Sequence, residues 1–526
     1  MTRSFLLFIV FIFYTEVSIG QNLNVQKDSV LGFYLDRISK IDLEENLSVL
    51  AADSLRGRET GKLGQKKAAQ YLKNTLIKYN VIGAGDSLDY FQRFALYRPN
   101  YQGIFQIVGN DTLRSWRDLY TFSTANDTVY KGANVTFLGF GIESENYSDY
   151  HEEISYEGLG VLFMGEPYKD GLYLLSGTES PSEWSDNIQL KIDIAKKKGL
   201  SGLVVINERF DDILPRVIYY QKNGRPRLNP FENSDFPVVV TSPEKFNGLF
   251  KKMNYEKVKQ KLNGSKKLKN YNFSLDWSIN YLTKQNKFYS ENVLGILEGK
   301  QYPDEYVFMT AHYDHLGQNG EDIYNGADDD GSGTSALLEI ARLFSLASDS
   351  VDVFPKRSIV FLWVSGEEKG LLGSKYYTDN PIYPLDDTVV DLNIDMVGRR
   401  DSLHTIDDSS YVYLIGSDKL SSDLHTLSEQ VNEIYSKYDL DYTYNDDSHP
   451  SRLYYRSDHY NFAKNNIPVI FYFGGMHEDY HLPSDELEKI DFDILSGVTR
   501  LVMSTSWHIA TLDKPLEVDN PIKLVR

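Results

Sequence analysis

The sequence YVFMTAHYDHLG at residues 306–317 changes from apolar to polar within one short segment. Its first part, Tyr306 to Thr310, has the aromatic and apolar residues of a buried strand, and a helical pattern with an apolar face follows at Leu337 to Phe344. Further strand-like runs alternate with helical ones along the chain, at Ile359 to Val364, Val389 to Ile394, Val412 to Ile415 and Val469 to Phe473. This alternation predicts an α/β fold with a mostly parallel or mixed sheet flanked by helices.

Histidine and carboxylate side chains stand at or just after the carboxyl ends of these strands, where ligands collect in α/β sheets. They are His312 and Asp314, Asp328 to Asp330, Glu367 and Glu368, Asp395, and His477 and His481. Any one of them alone is typical of a solvated turn or a structural histidine, but their joint placement predicts a site. The chain has no cysteine, so nitrogen and carboxylate ligands would hold a metal, and zinc suits that set.

Five segments carry a resemblance to a known family. TAHYDHLG, NGADDDGSG, SGEEKGLLGS, LNIDMVGR and DYHLPSD, in this order, resemble the M28 family of zinc aminopeptidases and carboxypeptidases. The resemblance covers Asn292 to about Leu512, and LSVLAADSLRGRETG at 47–61 resembles the N-terminal part of the same domain. AKKKGLSGLVVI at 195–206 resembles part of a protease-associated (PA) domain inserted into the peptidase, which we expect to be β-rich.

The resemblance implies two zinc ions, Zn²⁺, held by five metal ligands: His312, Asp329, Glu368, Asp395 and His481. One ion would be bound by His312 and Asp395 and the other by Glu368 and His481, with Asp329 bridging both. Asp329 is the bridging residue in this interpretation because the family places an aspartate three residues before the serine that is Ser332 here.

The resemblance also implies roles for residues that hold no metal. Glu367 matches the general base, which takes a proton from water and returns it to the leaving amine. Asp314 matches a carboxylate that orients His312. Tyr480, beside His481, is a candidate donor to the oxyanion, although the sequence does not assign that role.

The predicted function is that of a secreted exopeptidase with two zinc ions, which removes N-terminal residues from peptide or protein substrates. Carboxypeptidase action stays open, as does the oligomeric state. Two alternatives on the same fold are a non-catalytic binding or receptor protein and an acyltransferase of the glutaminyl cyclase type. Retention of all five implied ligands and of Glu367 favours the enzyme over the receptor.

Two short motifs suggest other chemistry. HEDYH at 477–481 matches the H-E-x-x-H signature of zincins, but that motif requires a helix, and glycines before it and Pro483 after it predict a loop. GDSL at 85–88 is reminiscent of a serine esterase family, but the segment after Ser87 lacks a helical pattern, so we interpret Ser87 as a turn residue.

Composition and terminal sequence complete the prediction. Residues 1–20 have the layout of a signal peptide, which predicts a secreted or periplasmic protein without a later membrane span. A net charge of −20 argues against nucleic acid as a partner. The predicted divisions are a signal peptide (1–20), the N-terminal part of the peptidase domain (21–97), the inserted PA-like domain (98–281), the catalytic domain (282–515) and a tail (516–526).

Overall fold

A computed structural model describes most of the chain and divides it into two compact units. Unit 1 comprises 1–94 and 289–526, and unit 2 comprises 95–288. The described residues are 23–98, 103–107, 112–121, 129–151, 153–222, 224–230, 235–251, 253–263, 271–281, 286–352, 354–404, 410–446 and 448–522. The predicted signal peptide at 1–20 lies outside them.

The helices begin and end as follows. They are α1 (Ser29–Leu35), α2 (Lys40–Leu50), α3 (Leu63–Lys78), α4 (Ile188–Lys197), α5 (Phe210–Lys222), α6 (Pro243–Leu249), α7 (Tyr255–Asn263), α8 (Gly333–Ser350), α9 (Leu372–Asp379), α10 (Ser422–Tyr435), α11 (His459–Ala463) and α12 (Phe492–Thr511). Side-chain oxygens accept hydrogen bonds from the first-turn amides of several of them, for example Asp28 at α1 and Ser421 at α10.

The strands have the following bounds. They are β1 (Ile82–Gly83), β2 (Phe91–Arg98), β3 (Gly103–Ile107), β4 (Thr112–Arg114), β5 (Leu119–Thr121), β6 (Val129–Phe137), β7 (Leu159–Phe163), β8 (Tyr168–Lys169), β9 (Leu172–Tyr173), β10 (Gly202–Ile206), β11 (Val238–Thr241), β12 (Tyr271–Tyr281), β13 (Asn286–Leu297), β14 (Tyr302–His312), β15 (Gly317–Asn319), β16 (Asp322–Tyr324), β17 (Arg357–Val364), β18 (Thr388–Ile394), β19 (Tyr411–Ile415), β20 (Asp439–Asp441) and β21 (Val469–Phe473).

Unit 1 is built on a mixed sheet with the strand order β1-β13-β17-β14-β18-β21-β19-β20, in which β2 also pairs with β13. Its centre, β17-β14-β18-β21, is parallel, as predicted. The strands on either side, β13 and β19, pair antiparallel with this centre. The carboxyl ends of the four central strands therefore meet at one edge of the sheet.

Both faces of this sheet are covered. In β14, Val307 and Met309 pack in one apolar cluster with residues of α2, α3, α8 and α12. Phe308, which alternates with them, packs in a second cluster with Tyr377 of α9 and Phe462 of α11. Burial on both faces explains why the central strands are continuously apolar rather than alternating.

Unit 2 contains a second mixed sheet with the order β4-β3-β12-β6-β7-β10-β11-β5. The short apolar runs at 133–138, 161–164, 203–206 and 238–240, which predict strands, correspond to β6, β7, β10 and β11. The helix predicted near 192–198, before Gly199, is α4. Helices α5, α6 and α7 were not predicted. Pro215 lies within α5, and most residues of α7 are polar, which obscures the helical pattern of both segments.

Within the described ranges, no helix combines the length and the apolar composition needed to cross a bilayer.

Candidate metal centre

The polar residues predicted to form a site come together at the carboxyl edge of the central strands. His312 is the last residue of β14, and Asp395 directly follows β18. Glu367 and Glu368 lie in the turn after β17. Because these strands are parallel neighbours, side chains that are distant in sequence meet within a few ångströms.

Two groups of side chains share Asp329. In the first group, His312 Nε2 lies 3.2 Å from Asp329 Oδ1 and 3.5 Å from Asp395 Oδ1. In the second, His481 Nε2 lies 3.2 Å from both Asp329 Oδ2 and Glu368 Oε2. Two ligands on one tetrahedral zinc ion, with bonds of about 2.0–2.1 Å, are separated by about 3.4 Å. The five residues therefore fit two zinc ions, with one oxygen of Asp329 facing each group.

Burial distinguishes this site from a cluster of surface acids. The side chains of His312, Asp329 and Glu368 are no more than 4% exposed, whereas that of His481 is 37% exposed. Several carboxylates held this close together and away from water are costly unless cations compensate them. Within the described residues, Glu368 Oε1 is a buried atom without a hydrogen-bond partner.

The two adjacent glutamates have opposite electrostatic environments. Burial, opposed by His312 and aided by Glu368, raises the pKa of Glu367 well above its usual range. Burial and Asp329 raise the pKa of Glu368, but contacts with His315 and His481 outweigh them and lower it to about 2. This divergence suits a proton-accepting role for Glu367 and an ionised, ligating role for Glu368.

The carboxylate of Asp314 does not orient His312, contrary to the sequence-based interpretation. His312 Nδ1 instead lies 3.0 Å from the main-chain oxygen of Asp314. The Asp314 carboxylate accepts hydrogen bonds from Thr60 Oγ1 at 2.5 Å, from the amide of Gly366 at 2.6 Å and from the amide of Glu367 at 3.3 Å. The Asp314 carboxylate therefore holds the turn that carries Glu367.

Asp330 was not among the predicted metal ligands, although it could join His312 and Asp395 around an ion. Both of its carboxylate oxygens already accept hydrogen bonds from main-chain amides. Oδ2 accepts from His312 N at 3.1 Å, and Oδ1 accepts from Gly333 N at 2.9 Å and Met396 N at 3.2 Å. Asp330 thus ties together three segments of the site rather than offering a free oxygen.

Arg58 is a buried cation close to the site, and the sequence did not predict a role for it. It is 1% exposed. Its guanidinium donates to the main-chain oxygens of Tyr313 at 2.9 Å, Asn325 at 2.6 Å and Gly326 at 2.9 Å. Arg58 therefore fixes the segment after β14 to the loop that carries Asp329. The signal was present in RGRETG, but nothing local indicated which main-chain groups Arg58 would reach.

Two further side chains hold proposed ligands in place. Ser457 Oγ donates to Asp395 Oδ2 at 2.6 Å, and Asn393 donates to Ser457 at 2.9 Å. Asp485 accepts the main-chain amides of Asp328 and Asp329, each at 3.1 Å. Such outer contacts fix the orientation of metal ligands.

A small pocket opens beside His312, Asp329, Glu367 and Asp395. Its apolar lining consists of Met396, Leu453, Phe471, Phe473 and Met476. Arg456, Ser457 and Tyr480 supply its polar side. A small pocket with a partly apolar lining therefore lies next to the two groups of side chains that share Asp329.

The motifs HEDYH at 477–481 and GDSL at 85–88 do not form alternative sites. HEDYH lies in the turn after β21 and not on a helix, as predicted, and His477 Nε2 faces Asp328 Oδ2 at 3.3 Å. Ser87 is exposed in a short turn at Asp86–Leu88. Neither residue has the surroundings that its motif requires.

Comparison with known proteins gives matches over the part of the chain that carries the site. Residues 292–506 match the family model described as Peptidase family M28. Aminopeptidase YwaD of Bacillus subtilis (strain 168) is 30% identical over 235 residues, which are 43% of this chain and 46% of that protein. A probable leucine aminopeptidase of Trichophyton verrucosum (strain HKI 0517) is 28% identical over 226 residues, covering 42% and 57% of the respective chains.

The chain spans about half the length of these curated relatives. Among solved structures, an aminopeptidase from Aneurinibacillus sp. strain AM-1 gives a TM-score of 0.46 at 16% identity, covering 94% of this chain and 98% of that one. The segment matched by the family model contains every residue of the two groups around Asp329.

Proposed function

Residues 292–506 belong to peptidase family M28, and on this premise we propose that the chain is an aminopeptidase that uses two zinc ions. The observation that carries the proposal is the position of Asp329. Its two oxygens lie 3.2 Å from His312 and 3.2 Å from His481, at the centre of two groups with the donors and spacing that zinc requires. The relatives named aminopeptidases support action at the amino end of peptides.

In this proposal each protein group has a defined task. His312, Asp395 and Asp329 would hold one ion, and His481, Glu368 and Asp329 the other. Zinc ions bound there would lower the pKa of water and polarise the scissile carbonyl. Glu367, whose pKa is raised by burial, accepts a proton from the attacking water and later donates it to the leaving amine. Asp314 positions Glu367 through the amides of Gly366 and Glu367.

Tyr480 is the proposed donor to the oxyanion. Its ring stacks on that of His481, with the centroids 3.8 Å apart, and it lines the pocket beside Glu367. Burial raises the pKa of Tyr480, so its hydroxyl keeps its proton at neutral pH. A neutral hydroxyl directed at developing negative charge is a common form of transition-state stabilisation.

The apolar pocket indicates the side chain that the enzyme accepts. Met396, Leu453, Phe471 and Phe473 are each at most 5% exposed, so a hydrophobic first residue would bury itself against them. A positively charged first residue would lose hydration against them and would share the pocket with the guanidinium of Arg456. We therefore expect kcat/KM for N-terminal leucine or methionine to exceed that for lysine by at least about tenfold.

The test uses peptides of one sequence with a free or an acetylated amino end, each with and without a strong chelator. The proposal predicts release of the first residue from the free peptide alone, and loss of this activity with the chelator. Release of C-terminal residues would instead identify a carboxypeptidase. Cyclisation of N-terminal glutamine would identify an acyltransferase, and metal binding without turnover a binding protein.

Export is a further part of the proposal. Its support is the sequence of residues 1–20, with a short apolar run that ends in small residues. N-terminal sequencing of the protein recovered from a membrane-enclosed compartment or from the medium would detect cleavage near residue 20. An intact first residue in the exported protein would contradict this part of the proposal.

A further inference from the structure

His315 lies next to the second group of proposed ligands, Asp329, Glu368 and His481, but is not one of them. It is fully buried, at 0% exposure. Its ring lies against Gly326, where an added Cβ would come within 2.6 Å of the imidazole carbons. The ring of His481 approaches it edge to face at 5.9 Å. The chain therefore fixes the His315 ring from more than one side.

The distances around His315 differ from those among the proposed ligands. His315 Nδ1 lies 2.7 Å from Glu368 Oε1 and 3.8 Å from Asp329 Oδ2. Two ligands of one tetrahedral zinc ion are about 3.4 Å apart, whereas a nitrogen donor and a charged oxygen in a hydrogen bond are about 2.7–2.9 Å apart. The contact between His315 and Glu368 thus has the length of a hydrogen bond and not that of a shared ion.

The two oxygens of Glu368 consequently face different partners. Oε2 lies 3.2 Å from His481 Nε2, in the range expected of two ligands on one ion. Oε1 faces His315 and has no aligned hydrogen bond among the described residues, and the same holds for both ring nitrogens of His315. The 2.7 Å between His315 Nδ1 and Glu368 Oε1 is nevertheless within hydrogen-bond range.

We propose that His315 is a positioning residue, which holds Glu368 Oε1 through its Nδ1–H so that Oε2 alone binds the second zinc ion. The inference rests on the proposed function, since it concerns the ion that Glu368 would bind. A glutamate side chain can rotate and can bind a metal through one oxygen or two. A donor on Oε1 selects one orientation and one oxygen, as partners of metal-ligating carboxylates commonly do.

Substitutions of His315 distinguish this role from a structural one. The amide nitrogen of asparagine is separated from Cα by the same number of bonds as histidine Nδ1, whereas that of glutamine is one bond further away. We expect His315→Ala and His315→Gln to weaken binding of one of the two zinc ions by about 10- to 100-fold. His315→Asn should restore most of that affinity. His508→Asn is the control, because His508 is a largely buried histidine whose Nε2 contacts Tyr435, away from the site.

The readouts are zinc stoichiometry from elemental analysis and zinc affinity from competition with a chelator, measured on the full chain and independently of peptidase activity. Wild-type affinity in His315→Ala would overturn the proposal. So would complete loss of one ion in both His315→Ala and His315→Asn, since His315 would then itself be a ligand. A wild-type protein that binds two ions but cleaves no peptide would contradict the proposed function and leave the inference on His315 intact.

Discussion

At the scale of single residues, the proposed function gives the neighbours Glu367 and Glu368 opposite tasks, and paired substitutions test this. Glu367→Gln keeps the shape of the side chain but removes its basicity, so we expect two bound zinc ions and a kcat lowered by about 10²- to 10⁴-fold. Glu368→Gln replaces an ionised ligand, so it should lose affinity for one ion together with activity. Elemental analysis and steady-state kinetics on both variants check the assignment. Loss of a metal from Glu367→Gln alone would reverse the two roles.

Asp314 provides a second test at this scale. Its carboxylate accepts the amides of Gly366 and Glu367 through one oxygen and the hydroxyl of Thr60 through the other, so Asp314→Asn removes the negative charge and leaves one oxygen for these three donors. We expect kcat to fall by about 10- to 100-fold, as is usual when a partner of a site residue is lost, with zinc content unchanged. Kinetics and elemental analysis measure the two effects separately. A loss of zinc with unchanged kcat would instead indicate that Asp314 acts through His312.

The sequence predicted which residues meet at the site better than it predicted what each one contacts. His312, Asp329, Glu368, Asp395 and His481 stand next to strand ends, and strand ends can be read from apolar runs. The contact of Asp314 with Gly366 joins residues far apart in sequence, and no local pattern encodes which of several nearby donors a carboxylate accepts. His315 is part of the TAHYDHLG motif, but only the fold shows that it lies against Glu368.

At the scale of elements, the central strands were predictable because burial on both faces makes them continuously apolar. The family match confirms, for residues 292–506, the family that their motifs predicted. The antiparallel strands β13 and β19 were not distinguished from parallel ones, because strand direction depends on the connections and not on the residues of the strand. Helices α5 to α7 of unit 2 escaped prediction because α5 contains a proline, α6 has only seven residues and α7 is mostly polar.

Arg58 connects several elements, and its removal should weaken them together. Arg58→Ala leaves the main-chain oxygens of Tyr313 and Asn325 without the Arg58 donor, whereas that of Gly326 still accepts from the amide of Gly331. Each buried unpaired group costs about 1–3 kcal/mol, so we expect the free energy of unfolding of unit 1 to fall by at least about 2 kcal/mol. Arg56→Ala is the matched control, since Arg56 is exposed. Denaturant titration of both variants makes the comparison, and equal stability would contradict the role given to Arg58.

At the scale of the whole molecule, the two units carry separate buried charges. In unit 2, burial lowers the pKa of Lys191 to about 7, while its Nζ donates to the main-chain oxygens of Phe140 and Gly165 at 2.7 and 2.9 Å. Burial also raises the pKa of Asp149 to about 6, with Lys191 opposing the rise. That unit 2 is a PA-like insert stays a prediction. Lys191 and Asp149 give the stability of this unit a distinct dependence on pH.

The sign of that dependence follows from the number of protons that Lys191 binds in the folded and in the unfolded state. Between pH 7 and 10.5 the folded state binds fewer protons at Lys191 than the unfolded state does, so its contribution makes stability rise with pH. We expect the unfolding free energy of wild type minus that of Lys191→Met to increase by about 3 kcal/mol from pH 7 to 10. Denaturant unfolding of unit 2 in both proteins at the two pH values measures this difference. A constant difference would mean that Lys191 keeps its ordinary pKa.

The central claim is that one site built around Asp329 binds two zinc ions and cleaves the first residue from peptides. The most direct measurement is a titration of the metal-free protein with zinc, in which release of the first residue from a free-amine peptide is followed at each addition. The account predicts that activity is absent at the start and reaches its maximum at two equivalents. Full activity before zinc is added, or a maximum at one equivalent with no further change, would contradict it.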